Sequence, residues 1–293
     1  MEYGNIKKFN EKLKSSDQFV FSLLTKSYTE FLNYLNNKFN SNTLVQQNKK
    51  KVIRLYAVNL FNPNFFKRYL LWFLKDKFII QFTKDNPDYF VYNTFGHNEN
   101  NPLYKNCIKI AILTENYMPD LYNCDYAFGH FHISYLDRFF TIPFAFLHAY
   151  NKTKHINLTE IRNNVTKYPR KKFCAALFTG LLPHDRAESF RLKFVDKLNQ
   201  YKQIDMGGAY KNNVGGRVKN KTEFLKAYKF SIAMENSNGD GYISEKIVDS
   251  FISGTIPIYY GSYMIDEYIN PKAYILVNGF KDMYEKIEYI KKN

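Results

Sequence analysis

The sequence is poor in cysteine. Three occur, Cys107, Cys124 and Cys174, and none stands in a CxxC pair. An odd count without paired spacing excludes a disulfide framework and fits a reducing compartment. Residues 1–14 lack the apolar core of a secretory signal. No run of about 18 apolar residues occurs anywhere, so no membrane-spanning helix is expected. The Asn-x-Thr triplets beginning at Asn151, Asn157 and Asn164 are accordingly expected to stay unmodified. Zinc-finger spacing, the aromatic signature of RNA-binding modules and internal repeats are also missing. These absences point away from nucleic acid and place the protein in the cytoplasm, with peripheral membrane contact left open.

What is present is charge and aromatic mass. The 293 residues carry 42 Lys and Arg against 27 Asp and Glu, a net +15 that favours anionic partners. Nucleic acid, an anionic membrane surface and a nucleotide-diphosphate sugar all satisfy that sign. The basic residues are scattered, with short runs at Lys49-Lys50-Lys51 and Arg170-Lys171-Lys172. Phe (27) and Tyr (25) are abundant alongside Asn, Lys and Ile, the bias of an AT-rich genome, although Tyr also suits a wet pocket. An apolar fraction of 45% is enough for real cores.

Apolar residues at steps of three or four from Val20 to Phe39 predict an amphipathic helix over 15–40, which docks on the fold and is followed by a polar linker. Strands are expected at 52–60, 78–82, 89–92, 107–113 and 125–128, with a helix over 63–75. A polar, Asn/Lys-rich stretch over 150–170 marks a domain boundary. A second alternating series follows: strands at 173–178, 230–234 and 256–260, and helices at 187–198 and 244–253, the last closed by Gly254 as a left-handed cap. Residues 282–292 form a last helix. The domains are therefore 1–50, a helical extension and linker, then 51–168 and 169–293. The fold class is α/β, with two successive Rossmann-like halves and a cleft between them.

The informative stretch runs from Phe230 to Ser262, FSIAMENSNGDGYISEKIVDSFISGTIPIYYGS. A buried strand ends at Glu235-Asn236, at the strand edge where open α/β sheets bind ligands. A glycine-containing loop, 237–241, allows close backbone approach. The loop feeds a helix whose first turn holds Ser244, Glu245 and Lys246. Free N–H groups and a lysine at that point favour phosphate. An ordinary capped βαβ unit, with Ser244 as its N-cap, explains the same spacing.

The stretch resembles the donor-binding signature of glycosyltransferase family 10 (GT10), the α-1,3-fucosyltransferases, bacterial type. The match runs through Phe230, Glu235-Asn236-Ser237, Gly241-Tyr242-Ile243, Glu245-Lys246, Gly254-Thr255-Ile256-Pro257-Ile258 and Gly261-Ser262. Upstream, Asp205-Met206-Gly207-Gly208, Asn212-Asn213-Val214-Gly215-Gly216, Lys219-Asn220-Lys221 and the run from Arg191 to Leu198 are similar too. The resemblance covers 173–280 firmly and extends more weakly over 52–150. It departs at Thr179-Gly180, where the family often has Ser-Asn.

The resemblance implies a GT-B fold, an acceptor-facing amino-terminal domain and a GDP-fucose-binding carboxy-terminal one. It implies an inverting transfer of fucose to N-acetylglucosamine in a β-galactoside acceptor, in α-1,3 linkage, giving Lewis-type structures. No metal or other cofactor is required. Glu115 matches the family's proposed general base. Arg191 and Lys246 match phosphate-contacting positions, Asn236 and Tyr242 line the donor site, and Glu245 is the carboxylate near the guanosine or fucose end. Asp125 belongs to the same block as Glu115, as an acceptor-side or structural residue. His130 and His132 share one strand face, and hydrogen-bonded histidines rather than metal ligands are expected there. Attachment through a basic amphipathic tail, seen in some bacterial members, is not expected. Two other readings remain: the same fold with another nucleotide-sugar donor, or a non-catalytic protein binding glycan or nucleic acid through its basic surface.

Overall fold

The computed structural model describes residues 50–58, 74, 77–93, 104–131, 138–141, 143–145, 148, 170–178 and 186–293. The helix expected over 15–40, most of that over 63–75, the polar stretch 151–169, Thr179-Gly180 and His132 lie outside the described residues. The chain forms two compact units, divided between Ile142 and Pro143.

The amino-terminal unit is built on a six-stranded sheet: β1 (Lys51–Val58), β2 (Phe78–Phe82), β3 (Tyr89–Asn93), β4 (Ile108–Ile112), β5 (Tyr126–Gly129) and β6 (Phe139–Thr141). The order is β2-β1-β3-β4-β5-β6, and every pairing is parallel. Burial follows position. Edge strand β2 alternates between exposed and half-buried, whereas central β3 is buried along nearly its whole length, as expected of a parallel sheet covered on both faces. Phe90 stacks on Tyr104 with ring centroids 4.4 Å apart, at the middle of a core that includes Tyr92, Leu113, Cys124 and Ala127.

The carboxy-terminal unit carries a five-stranded sheet: β7 (Lys172–Ala176), β8 (Ile204–Met206), β9 (Tyr228–Ile232), β10 (Ile256–Tyr259) and β11 (Ile275–Leu276). Its order is β11-β10-β9-β7-β8, again all parallel. Described helices are α1 (Arg186–Asn199), α2 (Lys221–Leu225), α3 (Glu245–Ser253), α4 (Ile265–Tyr268) and α5 (Met283–Lys292). Phe190, Phe194 and Leu198 of α1 and Ile287 and Ile290 of α5 pack with Cys174, Phe230 and Ile258 of the sheet. A second cluster gathers Ile243, Ile247 and Ile252 of α3 and its approach with Ala233, Tyr259 and Ile265. Each fully buried Phe or Leu contributes roughly 1.5–3 kcal/mol, so α1 is anchored by its apolar stripe. Gly254 ends α3 at φ 69° and returns its N–H to Phe251 and Ser250, the left-handed cap read from the sequence.

Pro257 sits inside β10, a place that normally excludes proline. It is tolerated because β10 pairs with β11 only from Ile258 onward, so Pro257 has one sheet neighbour, β9. Gly208, just after β8, is required by close approach: a Cβ there would lie 1.7 Å from the Phe178 carbonyl oxygen. The segment ahead of the compositional boundary belongs with this unit. The Ala145 N–H donates to the Ile243 carbonyl (2.9 Å), Ala145 is fully buried, and His148 Nε2 lies 2.9 Å from Asp249 Oδ1 of α3. These contacts explain why the compact units divide at Pro143, some 25 residues before the 168/169 boundary expected from composition.

Candidate functional site

In the carboxy-terminal unit, β8 lies on one side of β7 and β9 on the other. The order in which strands are added reverses at that parallel pair, and such switch points open a ligand crevice at the carboxyl ends of the strands. The sequence places its polar residues there. Arg191 of α1 is buried, with its guanidinium 4.1 Å from the centre of the Phe178 ring beyond β7. Its Nη1 donates to the Met234 carbonyl beyond β9 (3.4 Å). One arginine thus joins the two strand ends.

Glu235 follows Met234 and has no exposed surface. Its N–H donates to the Tyr260 carbonyl (2.7 Å), which keeps β9 and β10 joined one step past the strands. Gly261 makes room for it, because a Cβ at 261 would lie 2.7 Å from Glu235 Cγ and 2.5 Å from Tyr259 Oη. The carboxylate accepts from Ser244 N–H (2.8 Å), Ser244 Oγ (2.7 Å) and Lys246 Nζ (2.9 Å). Lys246 Nζ also donates to Ser244 Oγ (2.8 Å). Ser244 stands at the N-cap position of α3, but its hydroxyl makes no cap bond. It serves Glu235 instead, which differs from the ordinary capping read from spacing.

Burial opposes the charge on Lys246, yet the carboxylates of Glu235 and Glu245 hold its pKa above the ordinary lysine value. The side chain keeps 23% of its surface exposed. For Glu245, burial favours the neutral acid. The nearby charges of Lys246 and Lys221 win, and its pKa is pushed down to about 2. Lys221 Nζ, at the start of α2, stands 3.5 Å from Glu245 Oε1. Glu245 is therefore ionised and Lys246 protonated at neutral pH.

The loop between β9 and α3 is closed at its stem and tip. Tyr242, 2% exposed, donates its hydroxyl to Asn236 Oδ1 (3.2 Å). Ser262 Oγ accepts from the N–H groups of Gly241 (2.8 Å) and Met264 (3.2 Å). Asn236 is half-buried, so Tyr242 presents Asn236 rather than its own ring. Arg191, Asn236, Tyr242, Glu245 and Lys246 are thus gathered around the ends of β7 and β9. Glu235, Ser244 and Lys221 belong to the same group; the sequence reading named them within its motifs, Ser244 as an N-cap, but gave them no individual role in the site. The available signal was Glu235's position directly after the β9 run.

The amino-terminal unit places Glu115 just past the carboxyl end of β4, half-buried, with its carbonyl accepting from Tyr117 N–H (2.8 Å). Beside it, Asn93 at the end of β3 is buried and donates to Thr114 Oγ1 (2.8 Å). His130, after β5, is fully buried, and desolvation lowers its pKa to about 4 against a hydrogen bond with the Thr114 backbone. It is a neutral, hydrogen-bonded histidine. Among the described residues no group of His, Cys, Asp and Glu forms a metal cluster.

Asp125 lies elsewhere. It precedes β5, and its Oδ2 accepts from Lys109 N–H (2.8 Å) at the start of β4. In a parallel sheet that is the amino-terminal edge, opposite to Glu115. Arg138 Nε donates to the Asp125 carbonyl (2.8 Å). These contacts favour the structural of the two roles expected for Asp125.

Among the described residues no helix is long and apolar enough to cross a membrane. Two family models match the chain: glycosyltransferase family 10 (fucosyltransferase), carboxy-terminal part, over residues 169–293, and the α-(1,3)-fucosyltransferase amino-terminal domain over 57–148. Helicobacter pylori α-(1,3)-fucosyltransferase FucT is 31% identical over 259 residues, 77% of this chain and 53% of that protein. The chain thus spans about half the length of that relative. A crystal structure of an α1,3-fucosyltransferase superposes with a TM-score of 0.71 at 26% identity, covering 86% of this chain and 82% of the other. One determined with GDP-fucose gives 0.69 at 25%, covering 85% and 80%. The α/β architecture with two parallel sheets is of the GT-B class. The chain belongs to glycosyltransferase family 10, the fucosyltransferases.

Proposed function

We propose that the protein transfers L-fucose from GDP-fucose to a hydroxyl of N-acetylglucosamine in a β-galactoside acceptor, with inversion and in α-1,3 linkage. The observation that carries this reading is the cluster of Arg191, Lys246, Glu235 and Glu245 at the β7/β9 switch point, inside the segment matching the family 10 model. A nucleoside diphosphate leaving group needs positive charge where its own charge develops. Arg191 and Lys246 supply it. Glu245 and Asn236 suit the hydroxyls of ribose or fucose, which donate well to a carboxylate or amide oxygen.

In the proposed step Glu115 takes the acceptor proton as that oxygen bonds to the anomeric carbon. The bond from that carbon to the phosphate oxygen breaks, and GDP departs with the electron pair. Glu245 also steadies the positive character that builds on the sugar ring. Residues 51–168 act on the acceptor and 169–293 on the donor, with 1–50 as an extension. No metal cofactor is needed, since the two side-chain cations meet the diphosphate. The expected location is the cytoplasm, with contact at a membrane surface open.

Transfer from radiolabelled GDP-fucose to N-acetyllactosamine by the full chain, beside Glu115→Ala and Lys246→Ala, tests the reading. Transfer by the wild type, lost in both variants and insensitive to a chelator, is the expected result. Binding of GDP-fucose without transfer to any of a panel of galactosides overturns the acceptor. Preference for another nucleotide sugar overturns the donor.

A further inference from the structure

Glu235 is a fully buried carboxylate, and burying such a charge is costly unless it is paired. A buried ion pair is also weak evidence of stability, since an apolar pair of the same volume often does as well. The geometry here is more specific than stability requires. Three hydrogen bonds to the carboxylate converge on the start of α3, from Ser244 N–H, Ser244 Oγ and Lys246 Nζ. Ser244 gives up its cap bond to take part. Lysine has three N–H donors. Two go to Glu235 Oε2 and Ser244 Oγ, which fixes the direction of the third on a side chain still 23% exposed. Gly261 leaves no room for a Cβ against Glu235 Cγ, so the sheet edge is shaped around this carboxylate.

We propose that Glu235 is a positioning residue for donor binding, holding the Lys246 ammonium, directly and through Ser244, in the direction from which it meets a nucleoside diphosphate. The inference rests on the reading of the β7/β9 end as a nucleotide-sugar site. Lys246 is surrounded by Glu235 beyond β9, Glu245 on its own helix and Arg191 of α1. Lys221 of α2 and His148 act on Glu245, and the Tyr259 phenol of β10 lies near Glu235. Arg191 opposes protonation of Lys246, and Glu235 is the strongest influence sustaining it. Removing the Glu235 charge therefore lets Lys246 lose its proton at lower pH, and GDP affinity follows that titration only if the nucleotide meets the lysine's charge.

The experiment is GDP affinity by titration calorimetry on the full chain, from pH 7 to 9.5, as the ratio of variant to wild type. The ratio cancels the titration of guanine itself. Glu235→Gln is expected to bind GDP about tenfold or more weakly at pH 7, and its ratio is expected to fall further as pH rises. The double variant Glu235→Gln/Lys246→Arg, whose cation does not titrate in this range, is expected to hold a flat ratio. A ratio near one, or one equally flat in both variants, overturns the proposal. If Glu235→Gln does not fold, Ser244→Ala carries the test. It is expected to weaken GDP binding about three- to tenfold, and unchanged affinity overturns the proposal. Wild type that prefers another nucleoside diphosphate removes the donor reading while Glu235 is judged with that nucleotide. Wild type that binds none overturns both.

Discussion

The two units solve the same structural problem with different chemistry. Each is an all-parallel sheet whose polar residues collect beyond the carboxyl ends of the strands. At the end of β9 the residues are charged: Glu235 and Arg191 are buried, Lys246 and Glu245 half-buried, and they hold one another in place. At the ends of β3, β4 and β5 uncharged side chains meet: Asn93 and His130 bond to Thr114, and Glu115 follows, half-buried. A charged network suits a ligand with fixed charge, because its electrostatics are organised before the ligand arrives. A frame of uncharged side chains suits a residue that must gain and lose a proton, since Asn93 and the neutral His130 add no fixed charge of their own.

If that contrast is functional, the two edges fail differently. Glu115→Gln is expected to lower kcat by about 10²–10⁴ while leaving GDP affinity within about twofold. Transfer assays paired with calorimetry read both quantities, and a matching loss of GDP affinity would break the division of labour. Lys246→Ala is expected to lower turnover by about 10²–10³ and to weaken GDP binding as well. Loss of turnover at unchanged GDP affinity would mean that the lysine acts on the acceptor instead.

Acid separates the units in a second way. His130 is held neutral by burial, with its pKa lowered from 6.5 to about 4. The unfolded chain then takes up a proton that the folded one refuses, so this contribution is full above pH 6.5 and fades as pH falls towards about 4. Glu245, lowered from 4.5 to about 2, contributes fully above pH 4.5 and fades between there and about 2. Each is worth about 3 kcal/mol. Thermal melts across pH are expected to show the amino-terminal unit weakening first. His130→Asn is expected to flatten the upper window and Glu245→Gln the lower one. A single transition that shifts through both windows would mean that the units unfold together.

Much of the donor side is legible from residues alone. The β9 and β10 runs, α3 and its Gly254 cap each carry a local signal, apolar continuity or a glycine at a required left-handed turn. The short strands β6, β8 and β11 do not, because two or three residues are held in the sheet by their neighbours rather than by propensity. The Glu235–Lys246 pair was hidden for another reason. It closes across a loop, and depends on Ser244 turning away from its cap and on the missing Cβ at Gly261. Strand order is likewise invisible in the sequence, and it is order that brings Asn93 beside Thr114 and His130.

Asp125 shows the cost of not knowing strand direction. It is ten residues from Glu115 in sequence and belongs to the same family-like block, which left an acceptor-side role open beside a structural one. Parallel pairing of β4 with β5 instead sets it at the far end, about 17 Å of strand away at ~3.3 Å per residue. Its side chain accepts the Lys109 N–H where β4 begins, and its carbonyl accepts from Arg138. Asp125→Asn keeps an acceptor oxygen and removes only the charge. The expected result is a loss of about 0.5–1 kcal/mol in stability, with kcat and GDP affinity both unchanged. Denaturant melts and the transfer assay check it together. A tenfold fall in kcat without a change in stability would return Asp125 to the acceptor side and weaken the assignment of chemistry to one edge of the sheet.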